Sequence, residues 1–203
     1  MLSSIHPLGE AGRGQRWWLT VAAHIAGSVV GGAVVALALG LAGWSAARLG
    51  LGWSARLVLV AAVAALAAYV DWRGWPRWLP RPYRQVNEDW MTRYRGWVYG
   101  GGFGVQLGMG ITTIVTAATL YVLGALAFAL ATPLWASLLG GAFGLARGAM
   151  VLSARSIAAP DQLVAFHRRL QARAGWGRAA AVAADVAVLI GTVLVGTAAV
   201  LAG

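Results

Sequence analysis

The 203-residue chain contains no cysteine and no lysine. Without a thiol there is no disulfide exchange, no thiolate-bound metal and no cysteine-held iron–sulfur cluster. Acids are scarce as well: six Asp and Glu stand against sixteen Arg, with three His, for a net charge of +10. Charged residues of both signs make up 11% of the chain; an ordinary soluble domain has roughly a quarter. That shortage excludes a soluble globular domain, and the apolar content excludes a disordered chain or a fibre. Hydrophobic residues fill 60% of the sequence, and the mean hydropathy is +0.70. The composition fits a single polytopic membrane domain over residues 1–203, since about 20 apolar residues cross a bilayer as a helix.

Five apolar runs predict an all-α integral membrane protein of about five transmembrane helices. They cover about 17–44, 55–69, 97–131, 133–152 and 179–201. The first exceeds the 7–15 apolar residues of a signal peptide and reads as a retained helix. The second is short. The third is over-long: about 35 residues as one helix would reach roughly 50 Å, against a hydrocarbon core of about 30 Å.

Thirteen of the arginines fall on one side of a five-span arrangement. Arg13 and Arg16 precede the first run. Six lie between the second and third runs, and five between the fourth and fifth. The positive-inside rule then predicts a cytoplasmic N-terminus and an outside C-terminus. Eight of the eleven tryptophans flank runs on the arginine-rich side, and Trp44, Trp53 and Trp135 on the other, as headgroup anchors do. The expected location is the bacterial cytoplasmic membrane. The arginines are assigned to topology and anionic headgroups. No nucleic-acid partner is expected, because no reading motif accompanies them.

Two segments on the arginine-rich side have a pattern of their own. Residues 71–84 alternate Trp and Arg around three prolines, which suits a strip anchored on headgroups rather than a helix. Asn87, Glu88 and Asp89 then read as a helix start. Residues 160–171 predict a short amphipathic helix lying in the interface, with Leu163, Phe166 and Leu170 on one face.

Glycine carries the one internal similarity. Residues 100–108 and 140–148 both contain Gly-x-x-x-Gly-x-x-x-Gly, with a Phe before the central Gly. Gly100, Gly104 and Gly108, with Gly140, Gly144 and Gly148, would form helix-packing grooves that another backbone can approach. Six glycines within 100–110 also make helix a poor local choice. A break or a re-entrant half-helix is predicted there, or else a tilted span.

Ionisable groups within apolar runs are functional candidates by default. His24, Gln106, Arg147 and Asp185 are expected at one depth. Arg147 and Asp185 are expected to pair. Together the four would form a polar pocket for a small, anionic solute, or a structural pin with no ligand. Thr112 and Thr116 would share a face and line a pathway, or bond back to their own helix. No catalytic set is visible: no His-Glu-x-x-His, no Gly-x-Ser-x-Gly and no paired intramembrane carboxylates, with Asp185 read as the sole intramembrane acid. Neither enzyme activity, cofactor nor metal is expected.

Arg84-Gln85-Val86-Asn87-Glu88, then Tyr94 to Gly100 with the glycines through Gly110 and Thr116, resembles small bacterial membrane proteins grouped with the sulfite-exporter (TauE/SafE-like) and cytochrome c biogenesis (CcdA-like) families. The resemblance covers about 40 residues and implies duplicated broken-helix halves around a midplane site. CcdA-like proteins work through a pair of membrane cysteines, which this chain lacks, so electron relay is not carried over. Both families also usually have more spans. Two functions follow as expectations. One is a small permease or carrier for an anionic solute. The other is a non-catalytic accessory or assembly subunit of a larger membrane complex, with glycine grooves for partner helices. Homo-oligomerisation is compatible with either.

Overall fold

In a bilayer each apolar segment must satisfy its own backbone hydrogen bonds, so runs rich in Ala, Leu and Val close into helices. The computed structural model describes residues 5–74, 89–110 and 117–201, and within them the fold is helical with no strand. A short helix α1 (Pro7–Gly12) precedes the long α2 (Trp17–Arg48) and α3 (Trp53–Arg73). One turn, α4 (Trp90–Arg93), leads to α5 (Gly96–Met109) and α6 (Thr119–Leu130). Helix α7 (Pro133–Ala149) runs on as a 3-10 turn (Met150–Ala154), followed by α8 (Pro160–Ala172) and α9 (Ala174–Leu201). Among the described residues four segments are long and apolar enough to cross a membrane: α2, α3, α7 with its 3-10 turn, and α9.

The third apolar run is divided, with α5 ending at Gly110, the far edge of the 100–110 stretch where a break or half-helix was expected. Residues 100–108 are helical despite their glycines, because their neighbours supply packing that propensity does not count. Helix α5 ends at Gly110, whose φ of +72° suits a residue without Cβ. Helix α6 is 12 residues long, or about 18 Å, too short to cross a core of about 30 Å unaided. The second run is longer than the apolar count allowed. Helix α3 carries Tyr69 to Arg73 as a further turn and stops at Gly74, φ +97°. Asp71 and Trp72 therefore belong to a helix and not to the proline-rich strip. The rest of that strip from residue 75, with Asn87 and Glu88, lies outside the described residues. The amphipathic segment forms α8 with no buried residue. Leu163 and Phe166 are half-buried, whereas Leu170 is exposed.

The chain divides into two compact units. The first comprises Met1–Val35, Pro82–Ile114 and Gly140–Ala174. Its core joins Ile5, Trp17, Val21, Tyr99, Phe103 and Val151. The second comprises Ala36–Arg81, Val115–Leu139 and Gly175–Gly203. There Ala64, Ala67 and Val70 of α3 pack on Ala118 and Val122 at the start of α6, with Val188 and Leu189 of α9 beside them. Ile190, Val193 and Leu194 of α9 are more than half exposed, as a lipid-facing surface would be.

Candidate functional site

The first unit is built on a crossing of backbones. A Cβ placed on Gly100 would lie 2.5 Å from the Thr20 carbonyl oxygen of α2. One placed on Gly104 or Gly108 would overlap the carbonyl oxygens of His24 and Ser28. These three pairs advance together by four residues, one helical turn at a time. The contact is reciprocal: a Cβ on Gly27 or Gly31 would overlap the carbonyls of Gly101 and Val105. The second glycine repeat approaches the same stretch of α2. Gly144 lies against the Ser28 carbonyl, a Cβ on Gly148 would lie 2.9 Å from Ser28 Cβ, and the Gly140 carbonyl lies against Gly32. Both repeats thus serve contacts within the chain.

Polar groups sit at this crossing. His24 and Ser28, one turn apart on α2, are buried, and His24 Nδ1 and Ser28 Oγ have no hydrogen-bond partner. The imidazole lies beside the Gly100 backbone. Arg147 reaches from α7 to donate to the Leu107 carbonyl at 3.0 Å, and its guanidinium lies 5.5 Å from the Phe143 ring centre. Leu107 is in the last turn of α5, where its carbonyl also accepts the Gly110 amide at 3.3 Å and a cation is favoured by the helix dipole. Gln106, next to it, is half-buried.

Of the expected pocket, His24, Gln106 and Arg147 are in the first unit and Asp185 is in the second. The expected Arg147–Asp185 pair would join the two units. Each has its own surroundings: Arg147 a carbonyl at a helix end, Asp185 the residues Asp71 and Thr119. Thr112 and Thr116 lie outside the described residues.

Two clusters escaped the sequence reading. The first surrounds Glu10, which is fully buried. It forms a 2.6 Å salt bridge with Arg13 and accepts from Thr20 Oγ1 at 2.7 Å. Tyr99 donates its hydroxyl between both Glu10 oxygens, at 2.5 and 2.6 Å. Gln15 Oε1 accepts from the Gly96 amide at 2.9 Å beside it. The cluster ties α1 to the starts of α2 and α5. His6 caps α1, its Nδ1 accepting from the Gly9 amide at 3.1 Å. Burial, and then the charge of Arg13, hold the His6 imidazole below its ordinary pKa.

The second cluster is in the second unit. Asp71 of α3 accepts from the Ala118 amide at 2.8 and 3.0 Å, and from Thr119 Oγ1 at 3.4 Å. Asp185 of α9 faces Asp71 and Thr119. The expectation of a sole intramembrane acid without a partner carboxyl is therefore corrected. The signal was available in part: with only six acids in the chain, each acid beside an apolar run was a candidate. Among the described residues no group of three or more His, Cys, Asp or Glu could hold a metal ion. An apolar cavity of about 300 Å³ lies further along α9, lined by Leu57, Val60, Leu126, Val188 and Thr192 among others. Its only hydroxyl, on Thr192, is bonded to the Val188 carbonyl.

No protein-family model matches the chain, and no solved structure matches it. Over 126 residues, 60% of its length, it is 36% identical to methylamine utilization protein MauF of Paracoccus denitrificans. It spans less than half of that protein, 45% of its length.

Proposed function

We propose that the chain is a small carrier of the bacterial cytoplasmic membrane that moves a small anionic solute. The observation that carries this reading is the unpartnered His24 Nδ1 and Ser28 Oγ at the glycine crossing, with Arg147 at the carbonyl end of α5. Buried polar atoms without partners are rare where protein only has to pack. Interrupted membrane helices recurrently build solute sites, and Arg147 supplies a fixed positive charge that an anion would need. In this reading α5 and α6 together make one membrane passage, giving five with α2, α3, α7 and α9. The arginine distribution puts the N-terminus in the cytoplasm.

Reconstituted vesicles test it, with sulfite, sulfate, phosphate and short carboxylates as probes. Uptake of one of them, reduced at least tenfold in Arg147→Gln with the fold retained, is the expected result. No uptake of any probe by the intact protein overturns it.

The second reading is an accessory or assembly subunit of a membrane complex. The likeness to a protein named for methylamine utilization favours it, as a pathway component, over a free-standing carrier. The glycine repeats no longer support it, since both are engaged within the chain. Mass spectrometry of protein extracted in native lipid separates the two. Stoichiometric co-purification of other membrane subunits selects the accessory role; a monomer or homo-oligomer selects the carrier.

A further inference from the structure

The second unit contains a buried acid for which anion binding has no use. Asp185 is fully buried, and neither of its carboxyl oxygens has a hydrogen-bond partner. It faces Asp71, which is also buried but fully engaged. Both Asp71 oxygens accept the Ala118 amide, and one accepts the Thr119 hydroxyl. That amide opens the 12-residue helix α6, so Asp71 sits at the positive end of a helix dipole.

The two carboxyl groups therefore have opposite surroundings. Asp71 has an amide, a hydroxyl and the start of a helix directed at its oxygens. Asp185 has only the Thr119 hydroxyl beside it, which Asp71 shares, and it faces a second carboxyl. Two facing carboxylates in a dry site are not both ionised, and a proton resolves the repulsion. The other groups packed there supply no countercharge. Helix α6 brings Thr119 and the Ala118 amide and has no charged residue. Helix α9 has Arg178 as its only basic residue, about two turns from Asp185. Helix α3 has Arg73 beyond Asp71, but Arg73 is exposed and lies over the Trp72 ring. The remaining neighbours, Ala67, Val70, Val122, Val188 and Leu189, are apolar.

We propose that Asp71 and Asp185 form a proton-binding pair that takes up a single proton on the Asp185 side. Loading adds one proton to the Asp185 carboxylate, making one O–H bond that is offered to an Asp71 oxygen. Unloading breaks that bond and returns the proton to water. A metal cation fits less well. Asp71 directs its oxygens at N–H and O–H donors, and a divalent cation seeks about six or more oxygens. Unloading would leave two anions among α3, α6 and α9, so the proton controls how these helices pack. The pair does not depend on which solute, if any, the first unit binds.

Infrared difference spectroscopy of the full chain in nanodiscs, stepped through pH, tests this. The expected spectrum at mildly acidic pH contains the C=O stretch of one protonated carboxyl per chain. Raising the pH replaces it with one carboxylate. Asp185→Asn abolishes the band, Asp71→Asn retains it at a shifted frequency, and Glu10→Gln leaves it in place. If Asp185→Asn does not fold, carbon-13 labelling of aspartate in the unaltered protein decides, because it must move the band where labelled glutamate does not. Absence of the band throughout the pH series overturns the proposal, as does indifference to aspartate labelling. Loss of the band on adding sodium chloride at constant pH overturns it in favour of a metal cation.

Discussion

Glu10 and Asp185 are both fully buried acids, and the protein treats them in opposite ways. Glu10 has a guanidinium, a phenol and a hydroxyl directed at its two oxygens. Asp185 has no cation or phenol, only the Thr119 hydroxyl that Asp71 shares, and it faces a second acid. A buried charge is tolerated when it is paired and hydrogen-bonded, and otherwise the group becomes neutral. The first acid is therefore a structural anion. The second is suited to exchanging a proton. The packing around them differs too. Helix α5 meets α2 backbone to backbone through glycine, whereas α3 meets α6 through Ala and Val side chains. Direct backbone contact leaves no slack. Side-chain packing can adjust when a charge appears or disappears.

Identical substitutions in the two units would test this contrast most severely. Gly104→Ala drives a Cβ into the His24 carbonyl and is expected to cost about 3 kcal/mol or more, or to prevent folding. Gly124→Ala meets only Leu39 Cδ1 at 3.5 Å within α6. It should be neutral, or stabilise by up to about 1 kcal/mol. Thermal unfolding in detergent compares them, and equal losses would erase the distinction.

The acids come next in size. Glu10→Gln leaves Arg13 without its anion and disrupts the Tyr99 and Thr20 bonds; a loss of about 2–3 kcal/mol is expected. Asp185→Asn replaces a protonated acid by a neutral isostere and should stay within about 1 kcal/mol of the native protein. The reverse order in denaturant titrations would contradict the roles given to the two acids. Smaller again is Arg147→Met, which removes one charged hydrogen bond to the Leu107 carbonyl, for about 1–2 kcal/mol.

The smallest effect belongs to His6. Its pKa is lowered in the fold, so its contribution is present above the ordinary value near 6.5 and is lost as pH falls below it. The chemical cause is direct, since a protonated Nδ1 can no longer accept the Gly9 amide. His6→Asn can still cap the helix and does not titrate. Its melting temperature should be flatter between pH 7 and 5 than that of the native protein.

Much of the helical layout was legible because periodicity, glycine and apolar length are local properties. The fourth and fifth runs became α7 with its 3-10 turn, and α9, at nearly their expected bounds, and residues 160–171 became α8. Helix α5 was misjudged for a physical reason: intrinsic propensity disfavours six glycines, but in lipid those glycines allow the approach to α2 that stabilises them. The candidate site was legible only in its parts. His24, Gln106 and Arg147 were identifiable as polar residues in apolar runs. Glu10 was overlooked because it precedes a run, and Asp71 because it seemed to open a loop. Sequence counts the charges in a run; it does not count what a short flanking helix buries.

By itself the sequence determined the solvent of this protein. Scarce charge and long apolar runs leave a lipid-exposed chain no stable alternative to helices. Tertiary structure decided which polar groups meet. Arg147 and Asp185 have opposite charges on helices adjacent in sequence to α8, which made a pair plausible. Yet Arg147 bonds the Leu107 carbonyl, and Asp185 faces Asp71 from a helix more than a hundred residues earlier in the chain. Pairing depends on which helix faces pack together, and that is a property of three-dimensional contacts that no local pattern encodes.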